Sequence, residues 1–188
     1  MTILILIIAY LIGAIPTGLI VGKLFFDIDI RKVGSGNSGA TNAYRIFGHK
    51  AGLSVLFFDV MKGIVAINLC SEPVMQLLLG LSVISGHVWS IFAEFKGGKG
   101  VATTYGVFLA VNPILVILPL CIYVFTFLLF RISSVSSIVS ILSLIFSALI
   151  INVDVTTSFL ILLVCPLILW THRENIERII NGEEKKLF

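Results

Sequence analysis

The chain has 188 residues, of which 58% are hydrophobic and only 12% are charged, and its mean hydropathy is +1.11. These values exclude an ordinary soluble globular domain and indicate a membrane protein built as one domain, residues 1–188. The formal net charge is only +3, which does not suggest a nucleic-acid partner; the distribution of the charges carries more information than their sum.

Apolar runs of about the length of a bilayer-spanning helix follow one another along the chain. The first lacks the basic start and the small-residue cleavage site of a signal peptide, so it is predicted to be retained. The predicted fold class is therefore an all-α integral membrane protein with seven transmembrane helices. The runs are residues 3–24, 51–70, 74–93, 100–111, 114–130, 135–151 and 155–171.

The run 100–111 is short for a full crossing, so Asn112-Pro113 is either a turn between two spans or a kink inside one. If it is a turn, every arginine and all but two lysines fall in segments on one side of the membrane. The opposite connections, around residues 71–73, 112–113 and 152–154, have no Lys or Arg. The positive-inside rule then predicts an external N-terminus, a cytoplasmic C-terminus and short polar cytoplasmic loops that form the site.

Charged and thiol side chains within the apolar runs have plain structural interpretations. Asp59 and Lys62 share one helical face of the second run, so we predict an ion pair that faces the helix bundle. Cys70, Cys121 and Cys165 belong to separate apolar runs without C-x-x-C spacing, so neither a disulfide nor a metal site is predicted.

The first polar stretch is GSGNSGATNAYRIFG, residues 34–48. It is too polar for a core and too flexible for a good helix, and no strand precedes its G-x-G-x-x-G match. Glycines can aim backbone N–H groups at an anion, Ser35, Asn37, Thr41 and Asn42 add donors, and Arg45 adds a planar fork suited to phosphate. The alternative is a flexible surface loop with one cytoplasmic arginine.

The second stretch is GHVWSIFAEFKGGKG, residues 86–100. It does not match the P-loop pattern, because Gly100 stands where Ser or Thr should follow Lys99. Gly97, Gly98 and Gly100 still place free N–H groups and an ammonium at a helix N-terminus, which favours an anion site. For His87 alone, hydrogen-bonded packing is favoured over catalysis.

Two more polar stretches follow, RISSVSS (131–137) and HRENIER (172–178). Ser133 or Ser134 is predicted to cap a helix, and Ser137 to face a polar cavity. His172 and Asn175 share a helical face, and Glu174 and Arg178 have the spacing of an i,i+4 ion pair, although a basic helix against lipid headgroups is the alternative. All four stretches fall on the predicted cytoplasmic face, which indicates a site for phosphorylated substrates.

In this order, the four stretches closely resemble the bacterial acyl-phosphate:glycerol-3-phosphate acyltransferases of the PlsY type, over essentially the whole chain. One departure is Ser90, where that family usually has proline, and it bears on the bend after the third span. The resemblance implies transfer of a fatty acyl group from acyl phosphate to the 1-hydroxyl of sn-glycerol 3-phosphate. The products are lysophosphatidic acid and phosphate, in phospholipid synthesis at the bacterial cytoplasmic membrane.

The resemblance also implies the site residues. Arg45 and Lys99 would hold phosphate groups, Gly97 and Gly98 would let the backbone approach the acyl phosphate, and Glu174 would hold the last helix end. The implied catalytic residues are Ser35, Arg45, Lys99, Ser137, His172 and Asn175, and the implied substrate-binding residues are Gly36, Asn37, Thr41, Asn42, His87, Gly97, Gly98 and Gly100. No cofactor or metal is implied, and the partners are the two substrates, the lipid bilayer and, as a candidate, the enzyme that makes acyl phosphate.

Two questions stay open at this level. A mixed anhydride has a good leaving group, so the glycerol hydroxyl can attack directly, with either His172 or a substrate phosphate oxygen taking its proton. A transporter or exchanger of phosphate or glycerol phosphate would also need cations near small residues. It should place them near the middle of the bilayer, where only Asp59 and Lys62 lie, so it is the second hypothesis.

Overall fold

The computed structural model describes residues 2–187, and within that range all regular elements are helical. Short 3-10 helices cover Ile30–Lys32, Ile91–Ala93 and Pro113–Val116. The α-helices are α1 (Thr2–Ala14), α2 (Thr17–Phe26), α3 (Ala40–Phe47), α4 (His49–Ile67), α5 (Pro73–Val88), α6 (Val101–Val111), α7 (Ile117–Phe130), α8 (Ser133–Ile151), α9 (Val155–Thr171) and α10 (Arg173–Ile180).

The first predicted span is broken, which corrects the prediction of one helix over residues 3–24. Helices α1 and α2 meet at 41°. Pro16 stands at the break, where a proline has no N–H to donate and clashes with the preceding turn. The carbonyl of Ile15 is instead hydrogen-bonded by the Thr17 N–H at 3.0 Å and by Lys62 Nζ at 3.2 Å.

The predicted ion pair in α4 is confirmed. Lys62 Nζ lies 2.8 Å from Asp59 Oδ1, and both residues are buried. Thr17 Oγ1 donates to the same carboxylate oxygen at 2.6 Å. The pair therefore satisfies polar groups at the break between α1 and α2, because a membrane interior offers no water to do so.

Within residues 2–187, three helical segments are long and apolar enough to cross a membrane: Pro73–Ala93, Pro113–Phe130 and Ser133–Ile151. The number rises to five if the bent pairs α1 with α2 and α9 with α10 each count as one span. Helix α6 is apolar but has only 11 residues. The seven-span count and the orientation of the termini therefore stay predictions.

Close helix contacts are made where glycine replaces a side chain. A Cβ on Gly13 or Gly86 would lie 2.0–2.1 Å from a backbone oxygen of the facing helix in the α1–α5 pair. The α4–α6 pair has the same arrangement, with Gly63 against Thr103 and Gly106 against Val60. Small residues that let backbones approach are typical of helix packing in membranes.

Candidate active site

The four polar stretches surround one cavity of about 610 Å³. Its polar end is formed by the segment before α3, α3 itself, the start of α6, the start of α8, the α9–α10 junction and the tail after α10. Leu109, Val116 and Leu120 belong to its apolar part. A cavity with one charged and one apolar region suits a ligand that is itself amphiphilic.

Asn42 holds the first polar stretch in shape. Its Nδ2 lies 2.9–3.2 Å from the carbonyl oxygens of Ile30, Val33 and Asn37, and its Oδ1 accepts from the Ser35 N–H at 2.9 Å. The amide is thus fully engaged with the backbone of the loop. It organises the loop that presents Ser35 to the cavity.

The second half of this stretch is a helix, α3, although the composition predicts a flexible segment. Asn37 Oδ1 accepts from the Gly39 N–H at 2.9 Å just before the helix, and Gly48, with φ of +86°, ends it. Arg45 lies on α3 and lines the cavity. Among the described residues it makes no hydrogen bond or ion pair, so its guanidinium is available to an anion.

The glycines before α6 let the chain turn tightly against the end of α5. The N–H of Gly97 donates to Val88 O at 3.0 Å and that of Gly98 to His87 O at 3.1 Å. A Cβ on Gly97 would lie 1.9 Å from the same His87 oxygen. These glycines position Lys99 through their packing.

The N-terminus of α6 opens into the cavity through Gly100, Val101 and Ala102. The N–H of Thr104 donates to Gly100 O at 2.8 Å, so the N–H groups of the first helical turn have no partner within the helix. Together with the Lys99 ammonium they form a positive end of the cavity.

Lys99 begins a hydrogen-bonded chain. Its Nζ donates to Asn175 Oδ1, and Asn175 Nδ2 donates to Glu184 Oε1 at 2.5 Å. Glu184 also accepts from Ser134 Oγ and from Arg178 Nε, each at 2.7 Å. The chain joins α6, α8 and α10 to the tail, so four parts of the sequence meet in one polar cluster.

Burial lowers the pKa of Lys99 from its usual 10.5 to about 8. Glu184 opposes this shift, Arg178 adds to it, Glu174 opposes it and Arg45 adds to it, in decreasing order of effect. Lys99 is therefore still mostly protonated at pH 7, but it loses its proton within a pH range in which an enzyme can be assayed.

His172 is buried at the junction of α9 and α10. Its Nδ1 lies 2.8 Å from Ile168 O, and because a carbonyl oxygen only accepts, Nδ1 carries the hydrogen and Nε2 is unprotonated in the neutral ring. Burial, together with the weaker effect of the positive charge of Lys99, lowers the pKa of His172 to about 4. The ring is neutral at pH 7.

Comparison with known proteins decides the family. A family model for glycerol-3-phosphate acyltransferase matches residues 3–182. Glycerol-3-phosphate acyltransferase 2 of Bacillus anthracis is 45% identical over 190 residues, which is 100% of both chains. The glycerol-3-phosphate acyltransferase of Macrococcus caseolyticus is 46% identical, with 98% of this chain and 96% of that one covered.

The chain belongs to the glycerol-3-phosphate acyltransferase family. Its fold is similar to that of PlsY, an integral membrane glycerol 3-phosphate acyltransferase, in its glycerol 3-phosphate form, with a TM-score of 0.93 and 36% identity. That likeness covers 98% of this chain and 94% of the PlsY chain. The lysophosphatidic acid form of PlsY matches with a TM-score of 0.89 and 34% identity.

Most of the site residues predicted for this acyltransferase line the cavity, although their roles stay predictions. All six predicted catalytic residues do so, and so do five of the eight predicted for substrate binding. The lining includes Ser35, Arg45, Lys99, Ser137, His172, Asn175, Asn37, Thr41, Asn42, His87 and Gly100.

Gly36, Gly97 and Gly98 are not among the residues that line the cavity, and their contact with substrate stays a prediction. The N–H of Gly36 donates to Val33 O at 3.1 Å, and those of Gly97 and Gly98 bond to the end of α5. Each of these N–H groups is already satisfied by the protein, so it is not free to bind a phosphate oxygen.

Two predictions about the acyltransferase site are wrong. Glu174 does not pair with Arg178; it lies on the exposed side of α10, 3.9 Å from Arg173, while Arg178 pairs with Glu184 at 2.7 Å. Neither Ser133 nor Ser134 caps α8, whose N-cap is Ile132. Instead, Ser133 Oγ lies 3.0 Å from Thr41 Oγ1 and 3.1 Å from the Tyr123 hydroxyl.

Sequence reasoning missed Glu184, Lys185, Tyr105 and Tyr123 of the acyltransferase cavity. Gly182, just after the polar helix α10, is a turn signal that could have indicated that the tail reverses direction. The tyrosines lie in apolar runs, where a hydroxyl that faces a cavity has no local signature.

Proposed function

We propose that this protein transfers a fatty acyl group from acyl phosphate to the 1-hydroxyl of sn-glycerol 3-phosphate, giving lysophosphatidic acid and phosphate in phospholipid synthesis. The observation that carries the proposal is the single cavity in which Arg45, Lys99 and the α6 N-terminus adjoin apolar walls. Both phosphates require cations and N–H donors, and the acyl tail requires an apolar wall.

The proposed chemistry is direct attack. The glycerol hydroxyl oxygen forms a bond to the acyl carbonyl carbon, the bond between that carbon and the phosphate oxygen breaks, and phosphate leaves. Positive groups stabilise the negative charge that develops on the carbonyl oxygen and on the departing phosphate. No acyl-enzyme is required, because the mixed anhydride is already activated.

We assign the hydroxyl proton to a phosphate oxygen of the substrates, and a hydrogen-bonding role to His172. With a pKa of about 4, the His172 ring is a weaker base than a phosphate monoester, whose second pKa is about 6. Its Nδ1–H is bonded to Ile168, which fixes the ring so that Nε2 is the free acceptor.

The proposed setting is the bacterial cytoplasmic membrane, with seven spans, an external N-terminus and the cavity facing the cytoplasm. The apolar helices and the placement of the basic residues support it. Glycerol 3-phosphate and acyl phosphate would then reach the cavity from the cytoplasm and from the bilayer respectively.

The test is phosphate release by purified protein in detergent, with palmitoyl phosphate and glycerol 3-phosphate and no added metal. We expect release that depends on glycerol 3-phosphate, and a loss of at least about 100-fold in kcat/KM for Arg45→Ala, because a bidentate phosphate contact is removed. Lys50→Ala, which removes an exposed cation in the first turn of α4, is the matched control and should keep full activity.

Turnover with palmitoyl-coenzyme A but not with palmitoyl phosphate would disprove the donor. No turnover with either donor by folded protein would disprove the reaction, and uptake assays in vesicles would then test the transporter hypothesis.

A further inference from the structure

The tail after α10 folds back to the cavity in a defined way. Gly182 has φ of +73°, and the N–H groups of Glu183 and Glu184 donate to Arg178 O at 2.7 and 3.2 Å. The N–H of Leu187 donates to Arg131 O at 2.8 Å, beside the start of α8. These contacts bring Glu184 into the cavity wall.

The Glu184 carboxylate anchors the Asn175 amide and helps to fix its orientation. A carboxylate only accepts hydrogen bonds, so the amide must present Nδ2 to Glu184, and its Oδ1 is then directed to Lys99. Ser134 and Arg178 donate to the same carboxylate and hold it in place. The Lys99 ammonium, which only donates, requires the same orientation, so the amide is matched at both ends: Oδ1 to Lys99 and Nδ2 to Glu184.

We propose that Glu184 is a positioning residue of this acyltransferase: through the Asn175 amide it holds the Lys99 ammonium at the phosphate end of the cavity. The proposal rests on the function proposed above, in which Lys99 binds phosphate. It assigns a role in the reaction to the C-terminal tail, which lies outside the four polar stretches.

The negative charge of Glu184 supports this positioning role. Burial by itself raises the pKa of Glu184, but the hydrogen bonds from Ser134, Arg178 and Asn175 outweigh it, so the pKa lies below the usual 4.5 and the carboxylate is charged at pH 7. Its negative charge raises the pKa of Lys99. Removing it should therefore make Lys99 lose its proton at lower pH.

The alternative role of a carboxylate that accepts three hydrogen bonds in a phosphate site is that of an anion that substrate displaces. The two roles predict opposite effects on KM. Removing a positioning residue raises the KM for glycerol 3-phosphate or lowers kcat, whereas removing a competing anion lowers that KM.

The experiment compares wild type, Glu184→Gln, Glu184→Asp and the control Glu183→Gln, which neutralises an adjacent exposed carboxylate. The readouts are kcat and KM between pH 6 and 9.5, and the pKa of the Lys99 amine from competitive acetylation followed by mass spectrometry. The groups that bear on Lys99 are Glu184, Glu174, Arg178 and Arg45, with His172 adjacent, and only Glu184 changes charge.

For Glu184→Gln we expect a loss of about tenfold in kcat/KM at pH 7.5 and an alkaline limb that moves to lower pH by about half a unit. The Lys99 pKa should fall with it. Glu184→Asp should retain part of the activity and show a smaller fall in the Lys99 pKa. Glu183→Gln should match wild type in both.

The proposal would be overturned if Glu184→Gln changed neither the pH dependence of kcat/KM nor the pKa of Lys99. A lower KM for glycerol 3-phosphate in this variant would also overturn it. The acetylation experiment needs no turnover. If the wild-type protein shows no turnover, the proposed reaction is disproved. The pKa of Lys99 in wild type and in Glu184→Gln still shows whether Glu184 affects the protonation of that amine.

Discussion

At the scale of single residues, Lys99 shows how burial sets the working range of a charged group. An exposed lysine stays protonated to about pH 10, but burial lowers the pKa of Lys99 to about 8. The shift makes the ammonium a pH-dependent phosphate ligand. An arginine at the same position would stay charged throughout.

We therefore expect wild-type activity to fall as the pH rises through about 8, because Lys99 loses its charge in that range. Lys99→Arg should keep measurable activity and lose this alkaline fall, whereas Lys99→Gln should be inactive at every pH. The measurement is kcat/KM from pH 6 to 9.5. A flat wild-type profile up to pH 9.5 would contradict this role of Lys99.

Ser90 stands at a position where the family resemblance implies a proline. It is buried, its Oγ donates to Ala14 O, and its φ of −67° is one that proline also adopts. The chain bends after α5 with serine at this position, because the backbone torsions there do not depend on a proline ring.

We expect Ser90→Ala to destabilise the protein by about 1–2 kcal/mol, because a buried carbonyl loses its hydrogen bond. Ser90→Pro loses the same bond but restricts the unfolded chain, so it should lie closer to wild type. Thermal unfolding in detergent compares the three proteins. A Ser90→Pro variant less stable than Ser90→Ala would show that the ring does not fit.

At the scale of elements, the α4–α6 contact depends on glycine. A Cβ on Gly106 would lie 2.0 Å from Val60 O in the facing helix, and one on Gly63 would lie 2.4 Å from Thr103 O. A backbone oxygen in a helix cannot move away without shifting the whole helix. Since Lys99 lies two residues before the start of α6, this contact also positions the site.

Gly106→Ala should lower the stability by about 1–3 kcal/mol, as expected for overpacking, and should reduce activity with it. The matched control is Gly80→Ala, also within an apolar helix, where the added Cβ would meet the Leu160 and Val107 methyl groups at 3.2 Å. These side chains can shift to make room for the added methyl group, whereas the Val60 backbone cannot. Equal unfolding temperatures for the two variants would contradict the close backbone approach.

At the scale of the whole molecule, the predicted orientation places all basic connections on one side of the bilayer. In a background with Cys70, Cys121 and Cys165 replaced by serine or alanine, a new cysteine at Glu72 should react with a membrane-impermeant maleimide on intact cells. A cysteine at Lys186 should react only after permeabilisation. The reverse pattern would invert the topology and place the cavity outside.

Much of this molecule could be predicted from local sequence. Run length and hydropathy identify membrane helices, because a span of about 20 apolar residues has few other stable environments. The spacing of Asp59 and Lys62 predicts their ion pair, since residues three apart share a helical face. The four polar stretches, and the family resemblance they carry, are likewise continuous segments that can be read without a structure.

Only the tertiary structure decided which polar groups remain free for a ligand. The N–H groups of Gly97 and Gly98 and the amide of Asn42 suggest donors to substrate, yet they are satisfied within the protein. Glu184 reaches Ser134, 50 residues away, and Lys99 reaches Asn175, 76 residues away. Such contacts leave no periodic trace in the sequence, because they depend on how the helices pack against one another.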